Sequence, residues 1–78
     1  MELNDAHSDV VGTLFEDTVH RRLLCGEGSF DLPRIVAALR TAGFRGPWGV
    51  EILSDTHRAL PVREAAAAAY RSAAALVN

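Results

Sequence analysis

Glu51 fits its surroundings least. It lies inside Pro47-Trp48-Gly49-Val50-Glu51-Ile52-Leu53, an otherwise apolar run, between Val50 and Ile52. An ionised carboxylate buried without a partner is very costly, so such a group neutralises, pairs or binds a metal. The alternative is that Glu51 sits near a strand end and reaches water or an arginine. A second candidate centre is Arg21-Arg22, followed by Gly26-Glu27-Gly28. An arginine beside a glycine-containing turn can hold a carboxylate or phosphate through paired hydrogen bonds. The plainer alternative is a solvated charge pair on a mobile loop. The Gly-Glu-Gly triplet lacks the spacing of a dinucleotide or phosphate-loop fingerprint. Asp5, His7 and Asp9 offer oxygen and nitrogen donors, but at a spacing that matches no specific metal site. Cys25, the only cysteine, has no obvious general base nearby, and His20 and His57 read as surface or loop residues. Trp48 reads as a packing residue, and no serine has the context of a nucleophile elbow.

These side chains need elements to hold them. Residues 1–5 read as the end of a strand, and residues 6–31 as a long polar loop carrying Gly12, Gly26 and Gly28. A loop of that length in a compact domain is either functional or disordered. Residues 32–43 read as a helix. Asp31 is its N-cap, Pro33 sits in the first turn, and Gly43 follows its end. Leu32, Ile35, Val36 and Leu39 make one apolar face. Residues 47–53 read as a buried strand. A last helix spans 61–77, opened by Pro61, with a stripe from Val62 through Ala65, Ala66, Ala69, Tyr70 and Ala73 to Leu76 and Val77. Strands alternating with helices imply an α/β fold with a parallel sheet. Two strands cannot form a stable parallel sheet covered on both faces. The pattern therefore asks for neighbours outside this chain.

Size and charge narrow the function. A chain of 78 residues is one small domain at most, and it buries only about 60% of its unfolded surface. The single Cys25 rules out a disulfide within the chain and fits a reducing, cytoplasmic setting. The net charge of −2 argues against nucleic-acid binding, which needs a concentrated basic surface. The N-terminus lacks a basic region followed by an apolar stretch, and no run of about 18 apolar residues suits a membrane. All eight Lys-plus-Arg residues are arginine, a bias read as compositional and not functional.

Three segments together carry a resemblance. They are Glu2-Leu3-Asn4-Asp5-Ala6, Arg21-Arg22-Leu23-Leu24-Cys25-Gly26-Glu27-Gly28-Ser29-Phe30-Asp31-Leu32, and Ala42-Gly43-Phe44-Arg45-Gly46-Pro47-Trp48-Gly49-Val50-Glu51-Ile52. The sequence resembles the C-terminal part of the xylose-isomerase-like TIM-barrel superfamily, the sugar phosphate isomerase/epimerase family. That superfamily includes hydroxypyruvate isomerase, inosose dehydratase and 3-dehydroshikimate dehydratase. The resemblance covers nearly the whole chain and does not choose among the members. It implies the last two βα units of a (β/α)8 barrel, a fold that takes about 250 residues when complete.

By the same resemblance, residues 1–5 match the seventh strand, 32–43 the seventh helix, 47–53 the eighth strand and 61–77 the last helix. Glu51 matches a strand glutamate that binds a divalent metal such as Mn, Mg, Co or Zn. Glu2 matches a second ligand position, usually histidine or glutamine. Arg22 matches an arginine that contacts substrate. Cys25 stands where the family usually has proline, a departure expected to loosen the turn. The implied reaction is isomerisation, epimerisation or dehydration of a sugar or keto-acid through an enediolate-like intermediate, with the metal polarising a carbonyl or hydroxyl. A glutamate and an aspartate of the family's metal site have no counterpart here, so the chain alone is expected to be inactive. Two other expectations differ in class. One is a stand-alone α/β module that self-associates without catalysis. The other is a small metal-binding protein using Glu2, Glu51 and the Asp5–Asp9 region.

Overall fold

In the computed structural model, which describes residues 1–78, Leu3 and Val50 decide which way the sheet faces. They lie opposite each other in a parallel pair formed by β1 (Glu2–Leu3) and β2 (Gly49–Val50). Leu3 is buried, and Val50 and Trp48 pack against the cluster it shares with Cys25, Leu32 and Ala73. Leu32 and Ala73 come from two helices, α2 (Leu32–Thr41) and α4 (Val62–Val77). Helices therefore cover one sheet face. Side chains alternate along a strand, so Glu2 and Gly49 turn to the other face. The molecule measures 16 Å along its shortest axis, the depth of one sheet and one helix layer.

The ladder is shorter than the strands expected over 1–5 and 47–53. Main-chain pairing nevertheless continues past it, from Gly49 N to Met1 O at 2.8 Å and from Glu51 N to Leu3 O at 3.2 Å. The outer edges of both strands lack strand partners, and a strand can only be as long as the ladder beside it.

The segment 6–31, expected as a loop throughout, contains a helix, α1 (Leu14–His20). Thr13 accepts from Glu16 N, and the Glu16 side chain returns to Thr13 N at 3.1 Å. This reciprocal pair is a capping box, which supplies the orphaned donors at a helix start. A further short helix, α3 (Asp55–Arg58), is capped by Ser54.

The later helices start and stop where their residues dictate. The Asp31 side chain accepts from Arg34 N, and Gly43 takes φ +99° just past the end of α2. On α4 the apolar stripe is narrower than expected. Ala65, Ala69, Ala73, Leu76 and Val77 face inward, but Val62 is 87% and Tyr70 69% exposed, and Ala66 is exposed with them. Its packing runs mainly against α2 and β2, which leaves the Val62, Ala66 and Tyr70 flank exposed. No helix is long and apolar enough to cross a membrane.

Candidate functional site

Asp5 organises the loop that carries the candidate arginine. Its side chain is 0% exposed, and it accepts from Ala6 N, Gly26 N and Phe30 N at 2.9–3.0 Å. Asp5 and Leu23 also exchange main-chain bonds. The carboxylate is thus committed to backbone donors. His7 is exposed and Asp9 pairs with Arg21, so the Asp5-His7-Asp9 cluster does not form.

The glycines beside it have separate jobs. Gly26 takes φ +92°, a conformation that L side chains rarely adopt. At Gly28 an added Cβ would lie 2.3 Å from Ala6 O and 2.5 Å from Asp5 Oδ1. The turn is closed by Glu27 N to Leu24 O at 3.0 Å, and the buried Cys25 packs in the core. With cysteine at this position the turn keeps that main-chain bond. Burial, and then the negative charge of Asp5, push the Cys25 thiol up.

Arg21 and Arg22 have different roles. Arg21 bonds to the Asp17 carboxylate and to Asp9 O, and it lies 3.8 Å from the Asp9 carboxylate. The Val11 backbone N–H, ahead of the Arg21 guanidinium and against the effect of burial, holds the Asp17 carboxyl below its ordinary range. Arg22 has no carboxylate partner. Its guanidinium reaches Thr18 Oγ1 at 3.3 Å and lies 5.5 Å from the Phe30 ring centre, a stacking contact that sets its orientation.

Arg22 also lines a cavity of about 580 Å³, shared with His20, Glu27, Ile52, Ser54 and His57. The cavity lies where the segments following β1 and β2 meet, tied by Arg22 N to Leu53 O and by the Arg21–Ser54 bridge. In a parallel α/β barrel, the carboxyl ends of the strands carry the active site.

Glu2 and Glu51 lie on the sheet face turned away from the helices. Gly49 and Glu51 donate to β1 along the same edge, so their side chains share a face, and Gly49 pairs with Glu2. The Glu2 carboxylate occupies the space beside Gly49, where a Cβ would lie 2.6 Å from Oε1. Asn4 Nδ2 donates to Glu51 O at 3.0 Å. Carboxylate oxygens suit a hard divalent cation. No group of three or more His, Cys, Asp or Glu side chains converges anywhere in the chain. Two carboxylates are too few to hold such a cation by themselves.

No protein-family model matches the chain. A crystal structure of the IOLI protein with a binding zinc atom superposes on 97% of the chain with a TM-score of 0.85 and 26% sequence identity. Both strands, the helix layer and the open sheet face fit that frame. The chain belongs to the xylose-isomerase-like TIM-barrel superfamily. Its α/β architecture is a partial barrel, spanning 26% of the IOLI chain. Two 3-dehydroshikimate dehydratases, from Pseudomonas putida and Pseudomonas aeruginosa, are each 40% identical to it over 53 residues. That match covers 68% of this chain and 8% of either dehydratase.

Sequence reasoning singled out Glu51, Glu2 and Arg22. It passed over Gly49, whose missing side chain leaves room for the Glu2 carboxylate, and Thr18 and Phe30, which orient Arg22. The Thr13-x-x-Glu16 spacing was the readable signal for α1. Nothing in the sequence signals the contacts of Gly49 or Phe30, because they depend on strand register and loop path.

Proposed function

We propose that the chain forms the last two βα units of a divalent-metal-dependent xylose-isomerase-like enzyme, an isomerase, epimerase or dehydratase of a sugar or hydroxylated keto-acid. The observation that carries this reading is the placement of Glu2 and Glu51 on the sheet face turned away from the helices, in a chain whose loops after β1 and β2 enclose a cavity lined by Arg22, an arginine without a carboxylate partner. The zinc atom of the IOLI protein and the dehydratase relatives support it. Glu51 and Glu2 would hold the metal together with ligands from earlier strands, and Gly49 keeps room for Glu2. A bound divalent cation supplies Lewis-acid stabilisation of enediolate-like charge. Arg22 would orient the substrate through an anionic group, its guanidinium set by Phe30 and Thr18. The 78-residue chain alone is inactive in this reading.

The test is a graft. Residues 1–78 replace the matching segment of the Pseudomonas putida dehydratase, and conversion of 3-dehydroshikimate is measured with and without added divalent metal. Metal-dependent turnover is expected, with loss of about a hundredfold or more in Glu51→Gln. A folded, metal-loaded graft whose turnover is unchanged by Glu51→Gln overturns the reading.

A second reading, self-association without catalysis, is favoured by the open edges of β1 and β2. An exposed strand edge is a template for pairing with another chain.

A further inference from the structure

His20 ends α1 and lines the cavity that Arg22 also lines, and it meets Asp55, which begins α3. His20 Nδ1 lies 3.0 Å from Asp55 Oδ1. The bond from His20, with Arg58 beside it and against the effect of burial, holds the Asp55 carboxyl below its ordinary range. An ionised carboxylate only accepts, so Nδ1 must be the donor. Nε2 then has no proton on a neutral ring, and it has no protein partner. His57, on the same cavity, is the opposite case. Its Nε2 lies 2.9 Å from the Ala65 carbonyl and donates to it, which ties α3 to α4.

The imidazole is held from more than one side. Arg58 Nη1 donates to the same Asp55 oxygen at 2.8 Å, and its Nη2 donates to Val19 O at 3.2 Å, the residue before His20. A carboxylate on one ring nitrogen fixes the tautomer and orientation and leaves the other as an acceptor. The cavity thus combines a permanent donor, Arg22, with a neutral acceptor, His20 Nε2. A ligand that satisfies both carries an anionic group and a hydroxyl.

We propose that His20 is a substrate-contacting residue of this site, its Nε2 accepting a hydrogen bond from a hydroxyl of a hydroxy acid whose carboxylate lies on Arg22. Asp55 and Arg58 are positioning residues that act through the imidazole. This rests on the reading of the cavity as the substrate site.

The test uses the 78-residue chain and nitrogen-15 NMR of its histidines and arginines, at a pH where the spectrum shows the His20 ring to be neutral. The free chain should show His20 protonated at Nδ1, and Asp55→Asn should shift the ring toward the Nε2–H tautomer. A merely structural role for Asp55 would not move that signature. Two probes follow, 3-dehydroshikimate, which has hydroxyls, and cyclohexanecarboxylate, which has none. Binding of the first should move His20 Nε2 and Arg22 together. His20→Phe should weaken it about five- to tenfold, the loss of one hydrogen bond. His20→Gln, which keeps an acceptor, should recover part of that loss, and cyclohexanecarboxylate should bind the wild type and His20→Phe equally. His20 is about half exposed, so these variants keep the fold, which circular dichroism checks.

An Nε2–H tautomer in the free chain overturns the proposal. So does unchanged binding of 3-dehydroshikimate by His20→Phe while Arg22 still responds, a result that leaves the cavity as a substrate site. If neither probe moves Arg22 or His20, the reading of the cavity fails, and this proposal fails with it.

Discussion

Asp5 and Gly28 show how single residues shape this site. The loop's backbone donors converge on one buried carboxylate, and the backbone can come that close only because Gly28 has no side chain. Asp5→Ala leaves these donors unpaired in a dry setting and should cost about 3 kcal/mol or more. A domain this small is marginally stable, so that loss approaches its whole stability. Gly28→Ala meets backbone and not a flexible side chain, and should cost about 2 kcal/mol by overpacking. At Gly26 the space beside the α-carbon is open, so alanine there meets only the backbone penalty of φ +92° and should cost about 1 kcal/mol. Urea midpoints of the three variants check the order. A midpoint for Gly28→Ala at or above that of Gly26→Ala would contradict the close approach.

At the scale of elements, α1 is held by charge more than by packing. Leu14 and Phe15 are exposed, whereas Asp17 is buried and bonds to Val11 N and to Arg21. The Thr13 backbone N–H, followed by its hydroxyl, lowers the Glu16 carboxyl, as the Val11 N–H lowers that of Asp17. A carboxyl whose folded pKa is depressed contributes stability above its unfolded value, about 3.9 for Asp and about 4.3 for Glu. That contribution is lost as pH falls through the folded value. The helix α1 should therefore be intact at neutral pH and melt below about pH 4. Amide signals of 14–20 followed by NMR from pH 7 to 2 report this. Thr13→Ala should raise amide exchange in α1 about fivefold, the equivalent of roughly 1 kcal/mol for a lost cap.

The whole molecule is one sheet with one layer of helices. Buried residues number 9 of 78, too few to offset chain entropy comfortably. Val10, Val11, Leu14 and Phe15 form an exposed apolar run, and both strand edges are open. Such a surface drives association. Light scattering behind gel filtration should show concentration-dependent, heterogeneous species at tens of micromolar protein. A single monodisperse oligomer would instead favour the self-associating module. The purified chain should also show no metal-dependent turnover of 3-dehydroshikimate, and measurable turnover would overturn its expected inactivity.

The sequence by itself determined the α/β order, the caps of α2, the end of α2 at Gly43 and the conspicuous Glu51. These are local matters, because a cap, a proline or a positive-φ glycine acts within a turn of its own position. The same holds for α1, whose capping box was present to be read in Thr13-x-x-Glu16. Only the tertiary structure decided which face Glu51 takes, because that depends on the register of β1 against β2. It also decided that the Asp5 carboxylate braces the loop through backbone donors, that Arg22 has no carboxylate partner while Arg21 pairs with Asp17, and that His20 meets Asp55. Asp5 with Gly26 and Phe30, and His20 with Asp55, pair residues far apart in the chain, through contacts that exist only once the sheet has set the path of its loops. The exposed flank of α4 has the same origin, since its apolar residues are legible but the absence of a covering neighbour is a property of the packed chain.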